Sequence, residues 1–282
     1  MKKNNYENLN KWLSLKKKVA IATVIKTWGS SPRPIGSQLF INQDGEMEGS
    51  VSGGCVESSV VFEALESIKK KKNVILDYGI SNEDAFSVGL ACGGEIKILV
   101  EPLGIGNGIS LEFFDRIYQK INNRKSFIIA TNLKNFERII IEDHNKNDIW
   151  KNLFSLDEKN NFFSNPKSLI KGDWFINKFF PKIDNIIIGA VHIAQSLKKI
   201  NDILGINSFI IDPRSSFATS ERFPNTELIV EWPDDAIKSL NLQYSRTALV
   251  TLTHDPKLDD PAIEYALKND ISYIGCLGSK NT

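Results

Sequence analysis

Two cysteines that adjoin glycine pairs are the residues of this chain with the clearest chemical potential. The stretch GSVSGGCVE (49–57) places Gly53 and Gly54 directly before Cys55, and the stretch LACGGEIKILVEP (90–102) places Gly93 and Gly94 directly after Cys92. Glycine lets the backbone approach a ligand closely, and successive N–H groups can form a nest for an anion such as phosphate. The two elements therefore predict a site that combines thiols with bare backbone.

A helix is predicted directly after Cys55, from apolar residues that recur on one helical face. They are Val56, Val60, Val61, Ala64, Leu65 and Ile68. The positive end of a helix favours a thiolate at Cys55, whereas the nearby Glu57 would act against it. If the loop with Cys92 folds beside this helix start, both thiols border one accessible pocket.

Two other interpretations of the cysteines remain open from the residues alone. Buried cysteine is common and usually inert, so Cys55 and Cys92 could both be core residues in tight turns. A zinc site is less favoured, because the chain has no C-x-x-C pair. Its histidines are His144, His192 and His254.

The second half of the chain contains part of a dinucleotide-binding fingerprint. The stretch GAVHIA provides Gly189 and Ala194 at the first and third positions of G-x-G-x-x-G/A, and Asp212 ends the next predicted strand. Valine occupies the middle position, where its methyl groups would crowd a pyrophosphate. Val191 therefore argues against NAD(P), although the fold prediction stands.

Further polar residues follow predicted strands in this half, where the crevice of a parallel sheet takes ligands. His254 and Asp255 follow one strand, and Asp212 and Arg214 follow another. Each has a structural alternative: Asp255 could cap the next helix, and the other pair could brace each other. His192, after the glycine turn, could be a ligand or simply the first residue of a helix.

Composition limits the classes of protein that the chain can represent. Its 282 residues, 41% hydrophobic and 24% charged, suit one large or two ordinary domains. A net charge of +1 gives no support for nucleic-acid or membrane binding. The N-terminus lacks a signal-peptide pattern, and three cysteines are poor material for a disulfide framework. We therefore expect a cytoplasmic protein.

The elements that would position these residues fall into two groups. Residues 1–181 predict a mixed α/β domain, with strands at KVAIATVI, NVILDYGI and EIKILVE and a hairpin at Asp44-Gly45. Residues 104–181 are weakly patterned and include a linker, although SFIIAT and RIIIED predict strands. Residues 182–282 alternate strands with helices, which predicts a Rossmann-like parallel sheet. Cys276, in the last predicted strand, is expected to be a small core residue.

Several blocks, taken in order, resemble the xanthine dehydrogenase accessory protein family of the XdhC/CoxI type. The resemblance covers both halves of the chain but not 104–181. The blocks are GSSPRPIGSQLFI, GSVSGGCVE, GLACGGEIKILVEP, IIIGAVHIAQSL, IDPRSSFATSERFP, THDPKLDDPAI and YIGCLGS.

The resemblance implies a factor that binds molybdenum cofactor (molybdopterin), promotes its sulfuration with a cysteine desulfurase, and delivers it to a xanthine dehydrogenase-type molybdenum hydroxylase. It places Cys55 and Cys92 at the cofactor, as ligands of its molybdenum, with Gly53, Gly54, Gly93 and Gly94 as their backbone setting. Arg33 would be an anion partner, because a guanidinium grips an oxyanion with two hydrogen bonds. Its structural alternative is to tie down a surface loop.

Two features depart from the family pattern. Members commonly have glycine where this chain has Val191, and they usually continue beyond the last predicted strand. We therefore expect the second domain to be either incomplete or covered by a partner. We expect that partner to be a second copy of the chain, which gives a homodimer. The alternative functions are an NAD(P)-dependent oxidoreductase that uses the Rossmann-like half, and a scaffold that bridges desulfurase and hydroxylase without binding cofactor.

Overall fold

The computed structural model describes residues 3–29, 32–80, 94–142, 154 and 167–278. The chain divides into two compact units, Met1–Phe180 and Pro181–Thr282. Among the helices in the described ranges, none has both the length and the apolar character that a bilayer span requires.

Five antiparallel strands form the first sheet of the first unit, in the order β3-β2-β1-β5-β4. They are β1 (Val19–Gly29), β2 (Gln38–Asn42), β3 (Met47–Gly49), β4 (Val74–Ile80) and β5 (Gly94–Leu103). The strands predicted at 18–25, 73–80 and 95–101 are confirmed, as is the hairpin at Asp44-Gly45. The β-branched and aromatic residues of these segments suit a sheet that is covered on both faces.

Helices cover the two faces of this sheet because successive strand residues point in opposite directions. Ala20, Ala22 and Val24 pack with α2 (Glu57–Lys70). Val19 and Ile21 pack on the other side with α1 (Lys3–Ser14) and α3 (Leu111–Asn122). Burying each large side chain contributes about 1.5–3 kcal/mol, so α2 is firmly fixed to the sheet.

A second antiparallel sheet occupies the region that is weakly patterned in the sequence. Its order is β7-β6-β9-β8, with β6 (Phe127–Asn132), β7 (Arg138–Ile141), β8 (Leu169–Lys171) and β9 (Trp174–Phe179). The strands predicted at SFIIAT and RIIIED are confirmed as β6 and β7. The hairpin of β8 and β9 was not predicted, because β9 buries Asn177 and Lys178 together with its apolar residues and so shows no alternation.

The second unit is a five-stranded parallel sheet in the order β12-β11-β10-β13-β14. The strands are β10 (Asp184–Ile188), β11 (Asn207–Ile211), β12 (Glu227–Ile229), β13 (Thr247–Thr251) and β14 (Tyr273–Cys276). Helix α4 (His192–Leu204) packs on one face, and α5 (Pro233–Ser239) and α6 (Pro256–Lys268) pack on the other. The predicted Rossmann-like class, with its parallel sheet, is confirmed.

The prediction for Cys276 is wrong. Its side chain is exposed instead of buried in the core. The reason is its position in β14, which forms the last strand at one end of the parallel sheet and therefore has a neighbouring strand on one side. A residue at the carboxyl end of such a strand escapes the packing that buries central strands.

Candidate functional site

Cys55 lies in an exposed turn between β3 and α2. The helix begins at Glu57, and Val56 takes the capping position without a side-chain cap. Cys55 therefore precedes the first helical residue by two positions, close to where the sequence placed it. Its free thiol is exposed, so the interpretation of Cys55 as a buried core residue is wrong.

The turn that leads to Cys55, residues 50–54, wraps around the carboxylate of Glu57. Oε1 accepts hydrogen bonds from the Ser50 hydroxyl (2.9 Å) and from the backbone amides of Val51 (3.2 Å), Ser52 (2.9 Å) and Gly53 (2.9 Å). Oε2 accepts from the Ser52 hydroxyl and from the Gly54 amide, the latter at 2.8 Å. A side chain from the first helical turn therefore fixes the preceding loop.

This environment determines the charge of Glu57. The residue is 7% exposed. Burial would raise its pKa, but hydrogen bonds from Ser52, Ser50 and Gly54 outweigh burial and lower the pKa from 4.5 to about 2. Glu57 is therefore an anion at neutral pH, held by neutral donors.

The geometry changes the role expected for the two glycines before Cys55. Gly53 and Gly54 adopt φ of +83° and +124°, which an L side chain rarely tolerates. These conformations turn successive N–H groups inward, as predicted for an anion nest. The anion in the nest is the protein's own Glu57, so these N–H groups are not open to a phosphate in this conformation.

The structure describes only some of the other site residues that were predicted in the first unit. Cys92 and Gly93 lie outside the described residues. Gly94 is the first residue of β5 and pairs with Gly29 and Ile80 at the end of the first sheet. Arg33 is exposed on the loop after β1.

The loop that carries Arg33 contacts the turn at Gly53. Pro32 Cγ lies 3.5 Å from the position that a Cβ on Gly53 would occupy. The first unit therefore brings together Pro32 and Gly53, which are about 20 residues apart in the sequence.

In the second unit, the carboxylate of Asp212 joins two loops through hydrogen bonds to Ala190 and Arg214, and we call such a residue an internal brace. It is fully buried, and its Oδ2 accepts from the Ala190 amide at 2.8 Å. Arg214 donates to it through its backbone N–H, Nε and Nη2, at 3.0, 2.8 and 2.8 Å. Burial would raise the pKa of Asp212, but the bonds from Arg214 and Ala190 dominate and lower it. The predicted bracing pair is therefore present.

The glycine turn of the fingerprint is tightly packed. Gly189 has φ of +101°, and a Cβ there would lie 2.4 Å from the Thr253 methyl group. Val191 is the N-cap of α4 and packs against the apolar cluster of Ile187 and Ala194. His192 is the exposed first residue of the helix, which agrees with the structural alternative for this residue.

His254 and Asp255 lie in the turn that starts α6. Asp255 is its N-cap and accepts from the Lys257 amide at 3.0 Å. His254 has φ of +59°, and its amide donates to Asp259 Oδ2 at 3.0 Å. The capping alternative for Asp255 is therefore observed.

Sequence reasoning missed the roles of Glu57 and Asp259. Part of the signal for Glu57 was present, because an acid can reach back to a backbone N–H three residues earlier, and Gly54 has that spacing. The contact is not a capping box, because Gly54 lies two residues before the N-cap Val56. Asp259 follows Thr253 by six residues and accepts from its hydroxyl at 2.7 Å, a spacing without a standard motif. Within the described ranges, no group of three or more His, Cys, Asp or Glu side chains could hold a metal ion.

Each of the two units matches a known protein-family model. Residues 12–79 match the family model described as the XdhC and CoxI family, and residues 186–282 match the XdhC Rossmann domain. A relative from Bacillus subtilis (strain 168), named as a probable subunit of xanthine dehydrogenase, is 22% identical over 284 residues, which cover 99% of this chain and 84% of that protein.

A second relative and a solved structure complete the comparison. The molybdenum cofactor insertion chaperone PaoD of Escherichia coli (strain K12) is 36% identical over 87 residues, 31% of this chain and 27% of PaoD. A crystal structure described as a xanthine dehydrogenase from Bacillus halodurans shares the fold, with a TM-score of 0.75 at 23% identity over 98% of this chain and 82% of that one. The chain, with its turn at Cys55 and its Rossmann-like second unit, therefore belongs to the XdhC and CoxI family.

Proposed function

We propose that this chain binds molybdenum cofactor through its first unit, assists its terminal sulfuration by a cysteine desulfurase, and delivers it to a xanthine dehydrogenase-type molybdenum hydroxylase. The observation that carries the proposal is the exposed Cys55 thiol on a fixed turn, inside the segment that matches the XdhC and CoxI model. The name of the relative PaoD, a molybdenum cofactor insertion chaperone, supports the same role.

The residues around Cys55 fit part of such a cargo. A soft thiolate suits the molybdenum–sulfur centre, and an exposed position suits a cargo that must be released. The amides of Gly53 and Gly54 do not fit the phosphate while they donate to Glu57. We therefore assign the phosphate to other donors, and Arg33 remains our candidate because its guanidinium can bind an oxyanion bidentately.

Backbone contacts support a shared location for the two cysteine segments. Gly94, two residues after Cys92 in the sequence, pairs with Gly29 at the end of the first sheet. Three residues after Gly29 comes Pro32, which lies against Gly53. Strand β5 therefore begins at the end of the sheet that lies near Cys55, which supports the proposal that Cys92, two residues before β5 in the sequence, acts at the same site.

Cofactor loading tests the proposal directly. The full chain is purified from a host that makes the cofactor, and bound molybdenum and pterin are measured. We expect both in the parent and in Cys276→Ala, which removes an exposed thiol of the second unit. We expect both to be lost in the Cys55→Ala, Cys92→Ala double variant.

Each contrary result has a defined meaning. A parent chain without molybdenum or pterin would contradict cofactor binding. Full loading of the double variant would remove the thiols from the mechanism. Delivery is tested by adding the loaded chain to a cofactor-free hydroxylase, and sulfuration by adding a desulfurase with labelled cysteine. A homodimer stays a prediction, and light scattering on the purified chain measures it.

A further inference from the structure

The 50–54 turn has the construction of an anion-binding site that the chain itself fills. Its donors are two hydroxyls and successive backbone amides, and all of them point at the carboxylate of Glu57. Such concave arrays of N–H groups bind small anions in many proteins. Here the anion is a side chain of the same protein, Glu57 of α2, and that helix packs against the sheet through Val60 and Ala64.

The charge of Glu57 is balanced by these dipoles alone. Among the described residues, no lysine, arginine or histidine forms an ion pair with it, although other acids of the same helix do so, such as Glu66 with Lys70. A buried carboxylate without a cation is costly unless several donors satisfy it. The turn and the acid therefore stabilise each other.

The position of Cys55 depends on this arrangement. The thiol follows Gly54, whose amide is the last donor to Glu57, and precedes Val56, whose amide donates to the Ser52 hydroxyl at 3.0 Å. Cys55 is thus held on both sides by groups that the carboxylate organises. The cysteine itself remains exposed.

We propose that Glu57 is the positioning residue of Cys55, acting as an internal anion, and that removal of its carboxylate leaves the 50–54 turn able to bind a small external anion. The importance of this positioning for cofactor transfer rests on the proposed function. The anion site itself does not, because it follows from the donors of the turn.

Chemical rescue tests the proposal. The full chain is prepared with Cys92→Ser and Cys276→Ser, so that alkylation by iodoacetamide reports on Cys55. In this background, Glu57→Ala removes all six hydrogen bonds that the carboxylate accepts, so it should change the alkylation rate by at least the roughly tenfold effect of a single charge-assisted hydrogen bond. Sodium acetate or inorganic phosphate, at constant ionic strength set with chloride, should return the rate towards that of the parent in a saturable manner.

Two further variants make the result specific. Glu57→Gln should change the rate without being rescued, because its amide still fills the space that the anion would take. Glu66→Ala, an acid on the same helix that pairs with Lys69 and Lys70, should behave like the parent and ignore acetate. Circular dichroism of each variant shows whether it is folded, and Glu57→Gln provides the comparison if Glu57→Ala is not.

The outcomes separate the inference from the proposed function. An unchanged rate in both Glu57 variants, failure of acetate and phosphate to restore the rate of Glu57→Ala, or an equal response of Glu66→Ala to these anions would overturn the inference. Molybdenum and pterin content is then measured for the same Glu57 and Glu66 substitutions made in the otherwise unaltered chain, which keeps Cys92 and Cys276, and we expect Glu57→Ala to lose the cofactor and to regain it with acetate. If the parent carries no cofactor while rescue of alkylation is observed, the function is wrong and the positioning by Glu57 stands.

Discussion

Replacing Asp212 by asparagine tests whether this acid braces the second unit or faces a ligand. Asparagine has nearly the same shape, but it keeps one acceptor oxygen and places an NH₂ group where the second oxygen was. The Ala190 amide and the Arg214 Nη2 group, which both donate to Oδ2, would then face another donor. The substitution therefore removes the negative charge and two hydrogen bonds without removing volume.

The size of the effect follows from burial. Hydrogen bonds to a charged group contribute about 1.5–3 kcal/mol each, and breaking a buried ion pair costs about 3–5 kcal/mol. The Arg214 side chain is 39% exposed, so water recovers part of its solvation, whereas Asp212 is 0% exposed. We therefore expect a loss of about 3 kcal/mol, which for a domain of about 100 residues lowers Tm by roughly 15 °C.

The assay must follow the second unit by itself, because two units need not unfold in one transition. Hydrogen–deuterium exchange of the full chain, measured on peptides from β10 and β11, reports the local free energy of opening. The matched control is Asp202→Asn, an exposed acid of α4 that pairs with Lys198. A surface pair of this kind contributes at most about 1 kcal/mol.

A small effect would refute the reasoning. If Asp212→Asn changed the opening free energy no more than Asp202→Asn does, Asp212 would not be the brace that the contacts indicate. If Asp212→Asn lost a bound ligand while its stability was unchanged, Asp212 would instead be a ligand-binding residue.

Three other results are expected. Glu57→Gln should destabilise the first unit by about 3 kcal/mol at pH 7, because folding lowers the Glu57 pKa from 4.5 to about 2. The stabilisation by the charged carboxylate is complete above pH 4.5 and is lost as the pH falls towards 2. Denaturation curves of the parent and the variant should therefore converge in acid. Gly189→Ala should cost roughly 2 kcal/mol, measured by thermal unfolding, because its φ is +101° and Thr253 fills the Cβ position. Titration of the parent with NADH, followed by ligand fluorescence, should show no saturable binding, because Val191 crowds the pyrophosphate position, and micromolar binding would favour the oxidoreductase alternative.

Much of the second unit could be predicted from the sequence, because central parallel strands are continuous apolar runs. Ile186, Ile187 and Ile188 are buried on both faces of β10 and mark that strand in the sequence without ambiguity. Strand β9 could not be recognised in this way. Asn177 and Lys178 are buried there, and no sequence period shows that a polar side chain will be buried.

The helix after Cys55 could be predicted from the sequence, but the role of Glu57 could not. The glycine pair before Cys55 indicated a nest, and the sequence correctly placed a helix after the cysteine. Glu57 was interpreted as an acid of the first helical turn that opposes a thiolate. Which acceptor fills a nest depends on the path of the loop in space, and spacing along the chain does not report that path.

The sequence by itself determined the parallel sheet of the second unit and the glycine turn before α2, because these depend on local periodicity and on the conformational freedom of glycine. Tertiary structure alone decided that Glu57 and Asp212 are internal braces. Hydrogen bonds are short and directional, so the partner of a carboxylate is chosen only when distant or looped segments are brought within about 3 Å of it.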